Sequence, residues 1–450
     1  MRSFLLAIPS TMSVQYESIL VGDVGGTNTR LIMYQIRRDD PQLGRPLMSG
    51  RKAPGLLLKQ EKYLNQEYRS FVEVVTQFLQ ELHLQKPPLT ACFAVAGPVK
   101  DNAVTFTNRS DWSLDGSRLE AMLGIAKVTL CNDFLAVGYG LLTLEEDTEC
   151  EVLLHAPKKP GAPIACIGAG TGLGECFLTP VPLAASPSTG SSGDMPTKLR
   201  ESSAPAYEYQ CYSSEGGHAD FSPRDQEQVA LVEFLKKKFD QKHRVSVERV
   251  VSGTGLANIF EFLCAREPET IDAMVKAEVD KAGDLKGAII AKYQNSDALC
   301  RRTMNIFAAA YGAEAGSAAL KWLPFGGLYL TGGLTPKNLS LLSDPKGPFL
   351  AALRDKGRVS GLLEEVPVFA VKAEDLGERG AHLVAFKCLQ ATLSSQRGGD
   401  SNMNGSNKIS GRRRAAMLKW LASLAVPLSA AWAVTIVSAT AIYLLRTRHR

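Results

Sequence analysis

The sequence predicts a duplicated α/β fold of two lobes around a central cleft, and three observations predict it. A glycine-rich stretch, Gly22-Asp23-Val24-Gly25-Gly26-Thr27-Asn28, lies between apolar, β-rich runs within residues 18–36. A second, Gly168-Ala169-Gly170-Thr171-Gly172-Leu173-Gly174, follows the apolar run 164–167 and precedes a further strand. Helical periodicity separates the two, so strand–loop–strand occurs twice with helices between.

The elements follow in chain order. Residues 1–16 are an N-terminal extension; its apolar run, Phe4-Leu5-Leu6-Ala7-Ile8, is too short for a signal-peptide core, and Met12 offers an alternative start. Residues 61–84 carry helical spacing (Phe71, Val74, Val75, Phe78, Leu79, Leu82) and stop before Pro87-Pro88. Residues 89–95 read as a buried strand closed by Ala96-Gly97-Pro98. A short helix over 114–123 leads to a strand over 127–131, which leaves Asn132 and Asp133 at its carboxyl end, before a helix over 134–144.

In the second half, residues 183–205 form a Ser/Pro/Gly-rich insert without a core of its own. Helices are expected over 224–241 and 305–323, the latter dense in Ala and Gly, which permits close helix–strand approach. Gly327-Leu328-Tyr329-Leu330-Thr331 is a strand running into Gly332-Gly333. The lobes are thus a small one over 17–143, completed by 376–392, and a large one over 144–375.

Composition narrows the function. The formal charge of +5 is misleading, because residues 401–450 hold eight Lys and Arg and no acid. Residues 1–400 carry 43 basic against 46 acidic side chains, so no nucleic-acid surface is indicated. The nine cysteines are scattered singly with no C-x-x-C, which argues for reduced thiols and against a zinc site or disulfide scaffold.

The two glycine-rich loops read as jaws on a polyphosphate. Phosphate needs backbone N–H groups close by; glycine removes the Cβ that holds the chain away and tolerates positive φ. Thr27, Asn28 and Thr171 add side-chain donors. Asp23 is suited to hold Mg²⁺ through water, since that ion keeps several waters and takes one or two carboxylates plus phosphates. No G-x-x-x-x-G-K-[ST] occurs, and the second loop does not fit G-x-G-x-x-G, which excludes a P-loop and the dinucleotide fingerprint.

At this point the motifs match a family. The first loop extended through Thr29-Arg30, then Asn132-Asp133-Phe134, the 168–174 loop, Glu215-Gly216-Gly217-His218, and Glu248-Arg249-Val250-Val251-Ser252-Gly253 together resemble the bacterial-type glucokinases. The resemblance runs from about residue 17 to about 392. It implies the duplicated actin-like ATPase (ribonuclease H-like) two-lobed fold of the hexokinase/actin/Hsp70 superfamily, and phosphorylation of glucose at O6 by ATP with Mg²⁺.

It also implies roles. Asp133 resembles the catalytic base that takes the O6 proton; taken alone it serves equally as a helix N-cap. Asn132, Glu215, His218 and Glu248 match sugar-binding positions, as does Asn108. The nucleotide side would use Gly22, Asp23, Val24, Gly25, Gly26, Thr27, Asn28, Gly170, Thr171 and Gly172, with Gly332 and Gly333 near the adenosine. Homodimers are frequent in such a family. The related repressor/kinase branch carries zinc-binding cysteines after Glu-Gly-Gly-His; residues 221–235 hold none. A membrane-tethered sugar sensor without turnover, and a kinase of another hexose, remain as alternatives.

The tail departs from the family. Residues 420–445 are 26 without a charge. As a helix they span about 39 Å, enough to cross a ~30 Å hydrocarbon core. The expectation is a flexible linker over 393–416 and a C-terminal tail anchor over 417–450, with a transmembrane helix. The catalytic body then lies in the cytosol at the surface of an organelle, mitochondrial or peroxisomal in preference.

Overall fold

The computed structural model describes residues 15–106 apart from 46 and 48, then 112–182 and 207–400. Asn108, the 183–205 insert and the 417–450 tail lie outside the described residues. Among the described residues no helix is long and apolar enough to cross a membrane. The chain divides into two units. One joins the stretch up to Thr143 with the chain from Gly377 on; the other is Leu144–Leu376.

The first unit is built on a five-stranded sheet. β1 (Tyr16–Val24), β2 (Asn28–Arg37) and β3 (Leu56–Leu64) form an antiparallel meander, and β4 (Thr90–Val95) and β7 (Lys127–Asn132) continue it in parallel, giving the order β3-β2-β1-β4-β7. β5 (Ala103–Thr105) and β6 (Ser113–Asp115) make a separate ribbon. All of β4 and nearly all of β1 are buried, as their unbroken apolar runs require of strands covered on both faces. On one face lies the helix Phe71–Glu81, capped by the Ser70 side chain, which buries Phe71, Val74, Val75 and Phe78.

The other face is covered by the helices Asp133–Leu141 and Leu376–Asp400. Thr90 Oγ1 donates to the Ala385 carbonyl across that face, and His382 stacks flat on Tyr34 at 3.8 Å. Gly380 sets how closely these two helices approach: a Cβ there would lie 1.7 Å from the Ala136 carbonyl oxygen.

The second unit repeats the plan. β9 (Ile164–Ala169), β10 (Leu173–Pro182) and β11 (Tyr207–Ser214) form the antiparallel meander, and β12 (Leu328–Thr331) and β13 (Val368–Val371) extend it in parallel. β8 (Cys150–Leu154) adds an antiparallel edge, so the order is β11-β10-β9-β12-β13-β8. The same three antiparallel and two parallel strands recur in each unit, and the duplication is therefore structural. The core gathers around the helices Gly253–Arg266 and Ala298–Trp322.

Four expectations are corrected. Residues 61–64 belong to edge strand β3, not to a helix over 61–84, because helical spacing begins only at Phe71, after the Ser70 cap. The linker expected from 393 begins inside a helix that runs to Asp400, since extending a formed helix adds one bond per residue fixed even through Ser and Gln. The Ala/Gly-rich helix Ala298–Trp322 makes its closest glycine contacts with another helix rather than a strand: Cβ atoms on Gly312 and Gly316 would lie 2.0 and 2.5 Å from the carbonyl oxygens of Phe349 and Leu353. Finally, none of Gly22, Gly25, Gly26, Gly170 and Gly172 adopts positive φ. Where these loops need glycine, the need is for room, as at Gly22, whose Cβ would meet the Phe93 ring at 2.5 Å.

Candidate active site

The first glycine-rich stretch is the β1–β2 hairpin. Gly22, Asp23 and Val24 are still in strand, paired with Leu31, Arg30 and Thr29, and only residues 25–27 turn. Gly25 N–H donates to the Asn28 carbonyl at 2.9 Å. One residue holds this turn from behind. Asn65 is fully buried; its Nδ2 donates to the carbonyls of Gly25 (2.8 Å) and Gly26 (3.2 Å), and its Oδ1 accepts from Thr29 Oγ1 at 2.7 Å. Its backbone N–H adds a bond to the Thr27 carbonyl at 2.9 Å. Sequence reasoning missed Asn65, because it falls within a segment read as helix.

Replacing Asn65 by Ala leaves two carbonyls and a hydroxyl without their buried partner, each worth about 1–3 kcal/mol. Asn65→Ala is expected to lower stability by about 3 kcal/mol and to raise the KM for ATP more than that for glucose. Urea denaturation and steady-state kinetics check both.

Asp23 keeps solvent contact, and Arg30 lies across from it on β2, ion-paired to Glu378. Partial burial, then the Glu378 carboxylate, pushes the Asp23 pKa above the ordinary carboxylate value, with Arg30 opposing. The Asp23 carboxylate is an oxygen donor of the kind that could hold a hard cation. Among the described residues no cluster of three or more metal-ligating side chains exists.

Asp133 is delivered by β7. Asn132 ends that strand and caps the next helix, its Oδ1 accepting from the Phe134 and Leu135 amides at 2.9 and 3.1 Å. The capping role that Asp133 alone would also fit falls to its neighbour. Asn132 Nδ2 donates to the Gly97 carbonyl (3.1 Å) and to Asp133 Oδ1 (3.0 Å), which also accepts from the Phe134 amide at 2.8 Å. All four hydrogen-bonding positions of the Asn132 amide are thus engaged in the fold. One of them fixes Asp133.

In the second unit the other glycine-rich stretch is the β9–β10 hairpin, with Gly170-Thr171-Gly172 at its tip. Gly170 N–H donates to the Gly172 carbonyl at 2.8 Å, and the Gly170 carbonyl accepts from Gly253 N–H at 2.8 Å. Glu248 reaches beneath this tip: its Oε2 accepts from the Leu173 amide at 2.9 Å and occupies the space a Cβ on Gly172 would enter. The structure therefore ties a predicted sugar residue to the predicted phosphate loop. Ser252 secures the segment, donating to the Glu248 carbonyl at 2.7 Å while capping the helix Gly253–Arg266.

Glu215-Gly216-Gly217-His218 is a tight 3₁₀ turn after β11. The Glu215 and His218 side chains stand exposed, with Nε2 and Oε2 3.9 Å apart, and the His218 carbonyl accepts from Arg244 at 2.7 Å. Gly332 closes β12 at φ +82°, where an L-residue is strained, and a Cβ there would lie 2.4 Å from the Ala169 carbonyl oxygen. Gly333 starts the short helix that follows. Asn108 lies outside the described residues.

Two repeated α/β units, each with a glycine-tipped hairpin, one presenting a fixed aspartate and the other an exposed Glu/His turn, define a two-domain sugar kinase of the actin-like ATPase class. The chain belongs to the glucokinase family, whose profile matches residues 20–204 and 201–387. It is 39% identical over 383 residues to the glucokinase of Synechocystis sp., covering 82% of this chain and 98% of that protein. Among solved structures, a glucokinase from an Antarctic psychrotroph aligns with TM-score 0.61 and 25% identity over 82% of this chain and 99% of its own. A ROK family glucokinase from Streptomyces griseus, solved with glucose and AMPPNP, aligns with TM-score 0.51 and 17% identity, over 82% and 99%. The chain is thus an enzyme of the ATP:glucose phosphotransferase class.

Proposed function

We propose that this chain transfers the γ-phosphoryl group of ATP to O6 of glucose, with Asp133 as general base. The observation that carries the reading is the delivery of Asp133 at the carboxyl end of β7, its Oδ1 fixed by the Phe134 amide and the Asn132 side chain. In this step O6 forms a bond to phosphorus as the bond to the β,γ-bridging oxygen breaks. The O6 proton passes to the Asp133 carboxylate, and ADP leaves with the bridging electrons.

Asn132, Glu215, His218 and Glu248 would hold the sugar hydroxyls, each of which is both donor and acceptor, and Asn108 would add to them. The amides at residues 25–28 and 170–172 would hold phosphate oxygens, with Gly332 and Gly333 beside the adenosine. Mg²⁺ would be held at Asp23 through water, and when bound it neutralises charge on the phosphates. The AMPPNP complex of the Streptomyces relative supports ATP as the donor.

The test is coupled ADP release across glucose, fructose, mannose and N-acetylmannosamine. Highest kcat/KM on glucose is the expected result. Preference for another sugar replaces the substrate, and tight glucose binding without turnover replaces the kinase with a sensor.

The tail completes the proposal: residues 417–450 anchor the enzyme to an organelle membrane, with the body on the cytosolic side. Its support is the uncharged run 420–445 between basic flanks. The full chain is expected in the membrane fraction, and a truncation after residue 414 in the soluble one. Equal membrane recovery of both removes the anchor.

A further inference from the structure

One buried acid is unused by the mechanism above. Glu175 sits on β10, paired with Ile167 of β9 and Ser214 of β11. It is fully buried, and neither carboxyl oxygen has a hydrogen-bond partner among the described residues. An unpartnered buried carboxylate is costly, so it calls for an explanation.

Its neighbour supplies one. The turn Glu215–His218 lies directly on this strand through its two glycines. A Cβ on Gly216 would be 1.9 Å from Glu175 Oε2, and one on Gly217 would be 2.0 Å from the Leu173 carbonyl oxygen. Gly216 N–H also donates to Ser214 Oγ at 3.1 Å. The Glu175 carboxyl therefore packs directly against the Gly216 backbone.

We propose that Glu175 is a positioning residue for the Glu215–His218 turn, which rests on its carboxyl in the protonated form and is released when that proton is lost. This rests on the reading of Glu215 and His218 as sugar contacts.

The surroundings favour the neutral acid. Burial, then the Glu314 carboxylate, raises the Glu175 pKa to about 7, with Lys321 opposing. The helix Ala298–Trp322 presents Tyr311, Glu314 and Lys321, the last two 3.6 Å apart. β9 contributes Cys166, and β10 itself contributes Cys176. Glu215 and His218, on the turn, point to solvent. Burial raises both thiols and the phenol, so none of the three is a competing charge near neutrality.

The sign follows. The native state retains a proton that the unfolded chain sheds nearer 4.5, so the neutral carboxyl supports the turn at low pH and the support is lost as pH rises through about 7. Above that value the fraction of molecules with a seated turn falls by up to about tenfold per pH unit, and apparent glucose affinity falls with it.

The experiment is glucose and ATP KM from pH 6 to pH 8.5 in the full chain, in Glu175→Gln and in Glu215→Ala. In the unsubstituted enzyme the glucose KM is expected to rise by up to about fivefold between pH 7 and pH 8 while the ATP KM does not follow. Glu175→Gln, permanently neutral and nearly isosteric, is expected to keep the low-pH glucose KM throughout. A glucose KM that is flat with pH in the unsubstituted enzyme overturns the proposal without recourse to any variant. So does an identical pH profile in Glu175→Gln. Glu215→Ala separates the two layers: it raises glucose KM at every pH if the turn contacts sugar, and an unchanged KM removes the sugar-contact reading itself.

Discussion

Asp133→Asn is expected to lower kcat by about 10²–10⁴-fold, the range that a positioned general base contributes. It should leave the KM for ATP and the unfolding midpoint nearly unchanged. The substitution removes the basic oxygen but keeps its shape. The amide oxygen still accepts from the Phe134 N–H, and Asn132 still caps the helix through its own Oδ1. Loss of rate with retained stability therefore separates chemistry from folding. A variant within a few-fold of the unsubstituted kcat would remove Asp133 as the base. A variant that loses rate and stability together would make it a structural residue.

Gly380→Ala is expected to disable the enzyme from a position that touches no reacting atom. The added methyl would lie 1.7 Å from the Ala136 carbonyl oxygen and close to the Gly140 amide nitrogen. Neither neighbour is a side chain that can turn aside, so the helices Asp133–Leu141 and Leu376–Asp400 must separate. Overpacking of this kind costs about 3 kcal/mol. Asp133 begins the displaced helix, so kcat is expected to fall as well as stability. Thermal unfolding and initial rates measure both; an unchanged midpoint would mean that the two helices are not in close contact at Gly380.

The duplicated plan was legible because each half announces itself with apolar strands flanking a glycine-rich turn. Strands buried on both faces, such as β4, cannot be written without an unbroken apolar run. Edge strand β3 was not legible: Leu56, Leu57 and Leu58 are exposed, its polar half reads as a helix lead-in, and its place comes from pairing with β2. Of the candidate site, Asp133, Glu215, His218 and Glu248 stood out through motif context.

The residues that hold such groups in place did not stand out. Asn65 and Glu175 act on chain segments 36 and more residues away, and no local pattern records that. The glycines illustrate the same limit from the other side. Their presence in the loops was legible, but whether each serves positive φ or close approach depends on neighbours such as Phe93 and Glu248 that only the fold supplies.

The central claim is phosphoryl transfer to glucose, and the position of the transferred group tests it most directly. The full chain would be incubated with γ-labelled ATP, Mg²⁺ and glucose, and the labelled product identified by NMR. The account predicts label on the sugar, attached at O6, with one ADP formed per sugar phosphorylated. Label recovered as inorganic phosphate, or on a different hydroxyl, would contradict it.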